Sequence, residues 1–351
     1  MTKNIVGYIR GTCESSLNIQ KNIIIKFTHQ KRIPVSKFFC DQKPCKRCIG
    51  DVEKAAKLGL DASYRQEKFF PAWEALLEQI LKRNISTILV DNKFRLAISS
   101  KAFSYLMKLC KEYEVQICEV KIEPDGDESA LEDSAIVYHF SNTSLERPCI
   151  IEKDVDEIYK WAFDHDVNIS GLYLDFSLLE SEKVQKKQMI KEVKKYKKIL
   201  LIDFYHFETK TGTFFRQIKE LRTEGVDIVG IRDGILKNIN SKWMKRSIKV
   251  AVYVCASDQK CNGRKDILED IFSAFVKLRT NWTITQIYRD QIGGENQKRP
   301  EFERLVADRN EYDVVIVDSM SAIAYRTAKF IQRLKELNKP VFSLKEGGVT
   351  I

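Results

Sequence analysis

Long apolar runs are what this chain lacks. No stretch reaches the roughly 18–20 consecutive apolar residues that cross a bilayer, so a helical membrane span is not expected. Met1-Thr2-Lys3-Asn4-Ile5-Val6 leads straight into an apolar strand without a signal-peptide core, and a cytoplasmic protein is expected. Histidine is scarce. His29, His139, His165 and His206 show no ligand spacing and read as satisfied structural side chains, His206 included although it follows Asp203. A disulfide framework is also missing. Cys110, Cys118, Cys149 and Cys255 sit inside apolar runs, as buried thiols of a reducing compartment do. With 44% hydrophobic and 10% aromatic residues, the chain is too apolar for disorder. Charge is present in excess. A net +10 favours an acidic partner, nucleic acid being the commonest, against the plainer reading of a lysine-rich, soluble surface.

The 351 residues accommodate two or three domains, and the chain compares well with itself. Three segments open alike: Ile5-Val6-Gly7-Tyr8, Ala135-Ile136-Val137-Tyr138 and Val250-Ala251-Val252-Tyr253. A second apolar run ends in Asp41, Asp175 or Asp290. Tyr138 to Asp175 and Tyr253 to Asp290 are both 37 residues, and Tyr8 to Asp41 is 33. A third run ends in Asp91, Asp203 or Asp318. The step from the second Asp is 28 residues in the last two repeats and 50 in the first, an insertion of about 22. Phe103, Phe215 and Phe330 follow twelve residues later and open helical patterns that lead to a final strand.

Strands alternating with helices predict a parallel sheet covered on both faces. The expected fold is therefore α/β, three tandem flavodoxin-like domains, each a mostly parallel sheet of about four to five strands. The boundaries fall at 1–128, 129–246 and 247–351, with Glu123 to Ser129 and Lys237 to Arg246 as linkers. Functional groups in such sheets gather at the carboxyl ends of the strands, where the Tyr and Asp series fall.

The third repeat resembles the catalytic domain of serine site-specific recombinases, the resolvase/invertase family. Tyr253-Val254-Cys255-Ala256-Ser257 is similar to the family's opening strand, which ends Tyr, any residue, Arg, an apolar residue, Ser. Asp290-Gln291-Ile292-Gly293-Gly294 followed by Arg299-Pro300 resembles its Gly-rich turn and Arg-Pro segment. The resemblance implies a serine that attacks a DNA phosphodiester, with arginines stabilising the transition state. It implies catalytic roles for Ser257, Asp290 and Arg299.

This repeat departs from the pattern at three arginines. Cys255 stands at the first, and Ser321-Ala322-Ile323-Ala324-Tyr325 replaces an Asp-Arg-x-x-Arg run, with Arg326 one residue beyond. The first repeat keeps Arg10 and Arg95, with Thr12 at the serine position, Ile98 at the last arginine and Phe70-Pro71 for Arg-Pro. The second repeat has Phe140 and Asn142 at the Arg and Ser positions, and Phe207 to Gly212 through the run. Losing one oxyanion donor typically costs about 100–1000-fold in rate, so three losses predict no turnover. No helix-turn-helix or zinc ribbon is expected within the residues after the third repeat's last strand.

Two further features stand out. Cys40, Cys45 and Cys48 form a Cys-x4-Cys-x2-Cys loop, a weak zinc candidate whose fourth ligand would be Cys13, or else a lysine-containing loop with incidental cysteines. Eight lysines lie between Lys183 and Lys198, with Val184, Ile190 and Val193 as a partial apolar stripe. Lys186, Lys187, Lys191, Lys194, Lys195 and Lys198 are the candidate DNA contacts, unless they simply form a solvated helix face.

No cofactor is expected. The leading expectation is a recombinase-derived protein without strand exchange, acting through DNA or protein binding. The alternatives are an active recombinase using Ser257 with Arg299, Arg326 or first-repeat residues, and an interaction module without a nucleic-acid role.

Overall fold

The computed structural model describes residues 4–42, 70–96, 100–122, 134–141, 148–176, 183–238, 247–257, 262–279, 281–292 and 298–350. The chain divides into two compact units, residues 1–202 and 203–351. The first repeat runs β1 (Asn4–Gly11), α1 (Glu14–Lys31), β2 (Lys37–Gln42), α2 (Pro71–Leu81), β3 (Ile85–Val90), α3 (Ser100–Glu112) and β4 (Gln116–Glu119). The second runs β5 (Ser134–Phe140), α4 (Pro148–Asp164), β6 (Asn168–Asp175), α5 (Val184–Glu192), β7 (Lys198–Leu201), α6 (Thr211–Thr223), β8 (Asp227–Gly230), β9 (Gly234–Ile235) and β10 (Lys237–Asn238). The third runs β11 (Ile248–Ser257), α7 (Asn262–Lys277), β12 (Trp282–Ile292), α8 (Pro300–Ala307), β13 (Val314–Val317), α9 (Thr327–Leu337), β14 (Val341–Ser343) and β15 (Gly347–Thr350).

Three sheets result, in the orders β2-β1-β3-β4, β6-β5-β7-β8-β9 and β12-β11-β13-β14-β15-β10. The first four strands of each repeat share one order, with the opening strand central. That strand is buried on both faces, which is why it reads as a continuous apolar run. Register repeats as well. Asp41 lies opposite Arg10, Asp175 opposite Phe140 and Asp290 opposite Cys255. The β5–β6 and β11–β12 ladders shift register at matching places, Ala135/Ile136 and Val250/Ala251. Each shift leaves one extra residue, Ser170 or Thr285, five before the Asp. A shared bulge at a shared position is a sign of common ancestry that spacing alone does not supply.

Three details differ from expectation. The α5 region does not bury Val184 and Ile190, which are 62% and 39% exposed. Its inward face is Lys183, Lys186, Met189 and Val193, so Lys186 is buried and is not a surface contact. The helix also ends at Glu192 in a 3-10 turn over Val193–Lys195. Lys237 and Asn238 are not linker. They pair antiparallel with Val349 and Thr350 and extend the third sheet to six strands. Finally, α6 and α9 start at Thr211 and Thr327, so Phe214 rather than Phe215 is the counterpart of Phe330.

Candidate functional site

At the carboxyl edge of each sheet, one tyrosine and one aspartate hold the start of a helix. Tyr8 donates to Asp41 at 2.8 Å, and Asp41 accepts from the Ala72 and Trp73 amides at 2.9 and 3.0 Å. Tyr138 donates to Asp175 at 3.2 Å, and Asp175 accepts from Gln185 and Lys186 at 2.9 and 2.8 Å. Tyr253 donates to Asp290 at 2.9 Å, and Asp290 accepts from Glu301 and Phe302 at 3.1 and 2.9 Å. In every case the amides belong to the second and third residues of the helix, orphan donors that an anion at a helix N-terminus satisfies. Burial pushes the Asp41 carboxyl above its ordinary range, with these hydrogen bonds opposing. The Tyr253 hydroxyl is likewise pushed up, first by burial.

This alignment fixes which residue precedes each helix: Phe70, Lys183 or Arg299. It reveals a position that sequence reading missed. The second repeat carries a cation there, Lys183, buried with its Nζ 4.3 Å from the Phe140 ring centroid. The first repeat has the reverse arrangement, with Arg10 Cζ 5.1 Å from the Phe70 ring centroid. The third sets Arg299 near Cys255, whose thiol is raised by burial against the pull of Arg299. Each repeat therefore keeps one cation of this pair. Counting back from the helix start beyond Asp175 would have found Lys183.

The two arginines of the first repeat do come together, and both are fully buried. Their partners are carboxylates of α4, in the second repeat. Arg10 Nε lies 2.9 Å from Glu152 Oε1. Arg95 Nη1 lies 2.9 Å from Asp156 Oδ1 and 3.6 Å from Glu152 Oε1. Ser16 donates to Asp156 at 2.6 Å, and the Thr12 amide donates to the same carboxylate. Arg10 Nη2 donates to the Phe94 carbonyl at 3.1 Å, while Arg95 Nε faces Asp91 at 3.4 Å and Tyr159 donates to Asp91 at 3.0 Å. Burial alone would lower the Arg10 guanidinium, yet Glu152 and Tyr8 carry it above its ordinary value. Arg95 is raised in the same way by Asp156, Asp91 and Glu152. Burial lifts the Asp91 carboxyl, with Arg95 and Tyr159 opposing. Glu152 and Asp156 were not anticipated. The signal was an acid four residues from another beside the apolar stripe Ile151, Val155, Tyr159, since buried carboxylates need partners.

In the third repeat the candidate residues are arranged differently. Ser257 ends β11, opposite Ile292, and its side chain lies outside the described residues. Arg299 Nη1 donates to the carbonyls of Ala322 and Ile323 at 2.6 and 2.5 Å. Arg333 also donates to Ile323, and it stands 4.5 Å from the Phe302 ring centroid. The segment that lacks arginines is packed inward: Met320, Ala322, Ile323 and Ala324 are buried. Arg326 is exposed, and its backbone forms an antiparallel bridge with Lys210. Around that bridge Thr211 N donates to Tyr325 O and Thr327 N to Thr209 O, both at 2.9 Å. Phe215 and Phe330 meet edge to face at 5.2 Å. The second and third repeats thus pair reciprocally through equivalent segments, as isologous subunits do.

Of the cysteine loop, Cys40 is exposed and Cys13 half-buried, while Cys45 and Cys48 lie outside the described residues, as do Asn142 and Ile98. Lys187, Lys191, Lys194 and Lys195 are exposed and Lys198 is half-buried. No helix among the described residues is long and apolar enough to cross a membrane.

The third repeat thus joins a mostly parallel α/β sheet to a tyrosine-bound, helix-capping aspartate near the end of its second strand, with an arginine at the head of that helix. Residues 250–347 belong to the serine recombinase catalytic-domain family, matching the family model "Resolvase, N terminal domain". Among solved structures, the chain is similar to the N-terminal catalytic domain of TP901-1 integrase at 22% identity, over 28% of this chain and 78% of that one, with a TM-score of 0.24. It is similar to the C-terminal catalytic domain of ISC1926 TnpA, an IS607-like serine recombinase, at 15% identity, over 54% and 98%, with a TM-score of 0.26. It is also similar to a sugar ABC transporter from Actinomyces odontolyticus at 12% identity, over 61% and 71%, with a TM-score of 0.22. No curated protein matches the sequence.

Proposed function

We propose that the chain is a catalytically degenerate recombinase relative, built as domains 1–128, 129–246 and 247–351, that acts by binding DNA rather than by strand exchange. The net charge of +10 favours DNA as the partner, and the observation that carries the loss of strand exchange is the engagement of the retained arginines. Arg10 and Arg95 are buried against Glu152 and Asp156, and Arg299 is bound to backbone carbonyls. A guanidinium stabilises a pentavalent phosphate only if it is preorganised toward that phosphate and not already neutralised. Cys255 and the inward-packed 320–324 segment leave the other arginine positions without cations.

Covalent trapping tests the reading. Wild-type chain and Ser257→Ala are incubated with nicked suicide duplexes and resolved under denaturing conditions. The expected outcome is no serine-dependent protein–DNA adduct in either. An adduct formed by wild type and lost in Ser257→Ala would establish an active enzyme instead.

A further inference from the structure

We infer that α7 of the third repeat carries a seam for a second copy of this chain, pairing antiparallel with the same helix of that copy. Tyr138 to Asp175 and Tyr253 to Asp290 span the same 37 residues, so α4 and α7 align without a gap. Asp156, Tyr159 and Phe163 of α4 correspond to Ile271, Ala274 and Leu278. In α4 those positions form the contact with the first repeat. Asp156 meets Ser16 and Arg95, Tyr159 donates to Asp91, and Phe163 lines a cleft against Ile19 and Ile23 of α1. In the third repeat the same positions are apolar and face solvent. Ile271 is 45% exposed, Leu278 is 83% exposed, and Ala274 is exposed between them. Leu278 continues the helical turn, its amide donating to the Ala274 carbonyl at 3.1 Å. The inward face holds α7 to the sheet through Phe272 and Val276.

Spacing and charge select the occupant. Ile271, Ala274 and Leu278 lie three and then four residues apart, the rhythm of the apolar a and d positions in a coiled coil. Exposed Asp270 and Lys277 each come one residue before an a position, so both flank the seam on the same side. Two antiparallel copies set these equivalent flanks against each other, which brings Asp270 of each copy to Lys277 of the other. Two parallel copies would set Asp270 against Phe275 and forfeit both ion pairs. Ala274 is small enough at the crossing point for the helix axes to approach to about 8 Å. A contact of one helix is smaller than the about 1,200 Å² of standard interfaces, so the dimer is weak.

The full chain is followed by sedimentation equilibrium from low to high micromolar concentration at low salt. Wild type should pass from monomer to dimer. Leu278→Glu should weaken the dimer by about tenfold or more, and it should leave the thermal midpoint unchanged because the leucine is already in water. Asp270→Lys and Lys277→Asp should each weaken it by about threefold through like-charge contacts, and the two together should restore it. A chain that stays monomeric throughout, or a dimer indifferent to Leu278→Glu, overturns the inference. Charge reversals that fail to compensate overturn it as well. Should Leu278→Glu melt lower than wild type, the charge-reversal set decides, since both of its side chains are exposed. A monomeric chain that captures a different protein on this face counts as failure. Ser257 takes no part in this assay, so the inference and the proposed function fail on separate results.

Discussion

A tyrosine hydroxyl donating to an aspartate is the smallest unit this chain repeats. Tyr8, Tyr138 and Tyr253 each give one bond to a carboxylate that already caps a helix. The pair survives in the second repeat, where the arginine and serine positions read Phe140 and Asn142, so its role is architectural there. A hydrogen bond to a charged group is worth about 1.5–3 kcal/mol, and two amide donors remain when the hydroxyl is deleted. We expect Tyr253→Phe to lower stability by about 1–2 kcal/mol, read from urea unfolding, without altering the far-ultraviolet circular dichroism. A loss below a few tenths of a kcal/mol would show that the hydroxyl does not support the cap. The aspartates were legible in sequence near strand ends, whereas the tyrosines, read as strand ends, lie two to four residues before the ends of β1, β5 and β11. Their bond was not legible, because it joins residues 33 or 37 apart across neighbouring strands.

Between elements, the informative contact is the reciprocal bridge where α6 and α9 begin. Thr211 and Thr327 are the first residues of their helices, preceded by extended Lys210 and Arg326. Proline is accommodated at a first helical position and after an extended residue, so it removes an N–H without breaking the helix. Thr327→Pro should therefore delete only the bond to the Thr209 carbonyl, besides the side chain. It should cost about 0.5–1.5 kcal/mol more than Thr327→Ala, measured by chemical denaturation. Equal losses in the two variants would show that the bridge contributes nothing. Next to this contact, the segment of the third repeat that lacks arginines is buried. Where Met320 to Ala324 pack inward, a guanidinium would lose its water, and apolar residues serve better. Sequence registered the substitution as decay, because a segment's partner in another repeat leaves no local pattern. The α5 face was misjudged for a related reason. Lys183 and Lys186 bury behind polar letters, Lys183 against an aromatic ring.

For the whole molecule, charge sets the expected behaviour. The net charge is +10, and Lys187, Lys191, Lys194, Lys195 and Lys197 line the exposed side of one segment. Binding to plain duplex DNA should weaken with salt, with a log–log slope near −0.9 for each phosphate neutralised. Lys191→Glu with Lys195→Glu should flatten that slope, measured by fluorescence anisotropy from low to physiological salt. A slope unchanged by both substitutions would place the contact elsewhere, and no binding at low salt would favour a protein partner.

By itself the sequence determined the triple repeat, the strand and helix order and the kinship of the third copy. The first two follow from periodicity and spacing and the third from a motif resemblance, all of them properties of a chain read along its length. The tertiary structure alone decided what the surviving cations do. Arg10 and Arg95 meet acids some 60 to 140 positions away, and Arg299 meets two carbonyls. Whether a buried charge is a tool or a fastener depends on the partner that desolvation forces it to find, and that partner is chosen by packing in space.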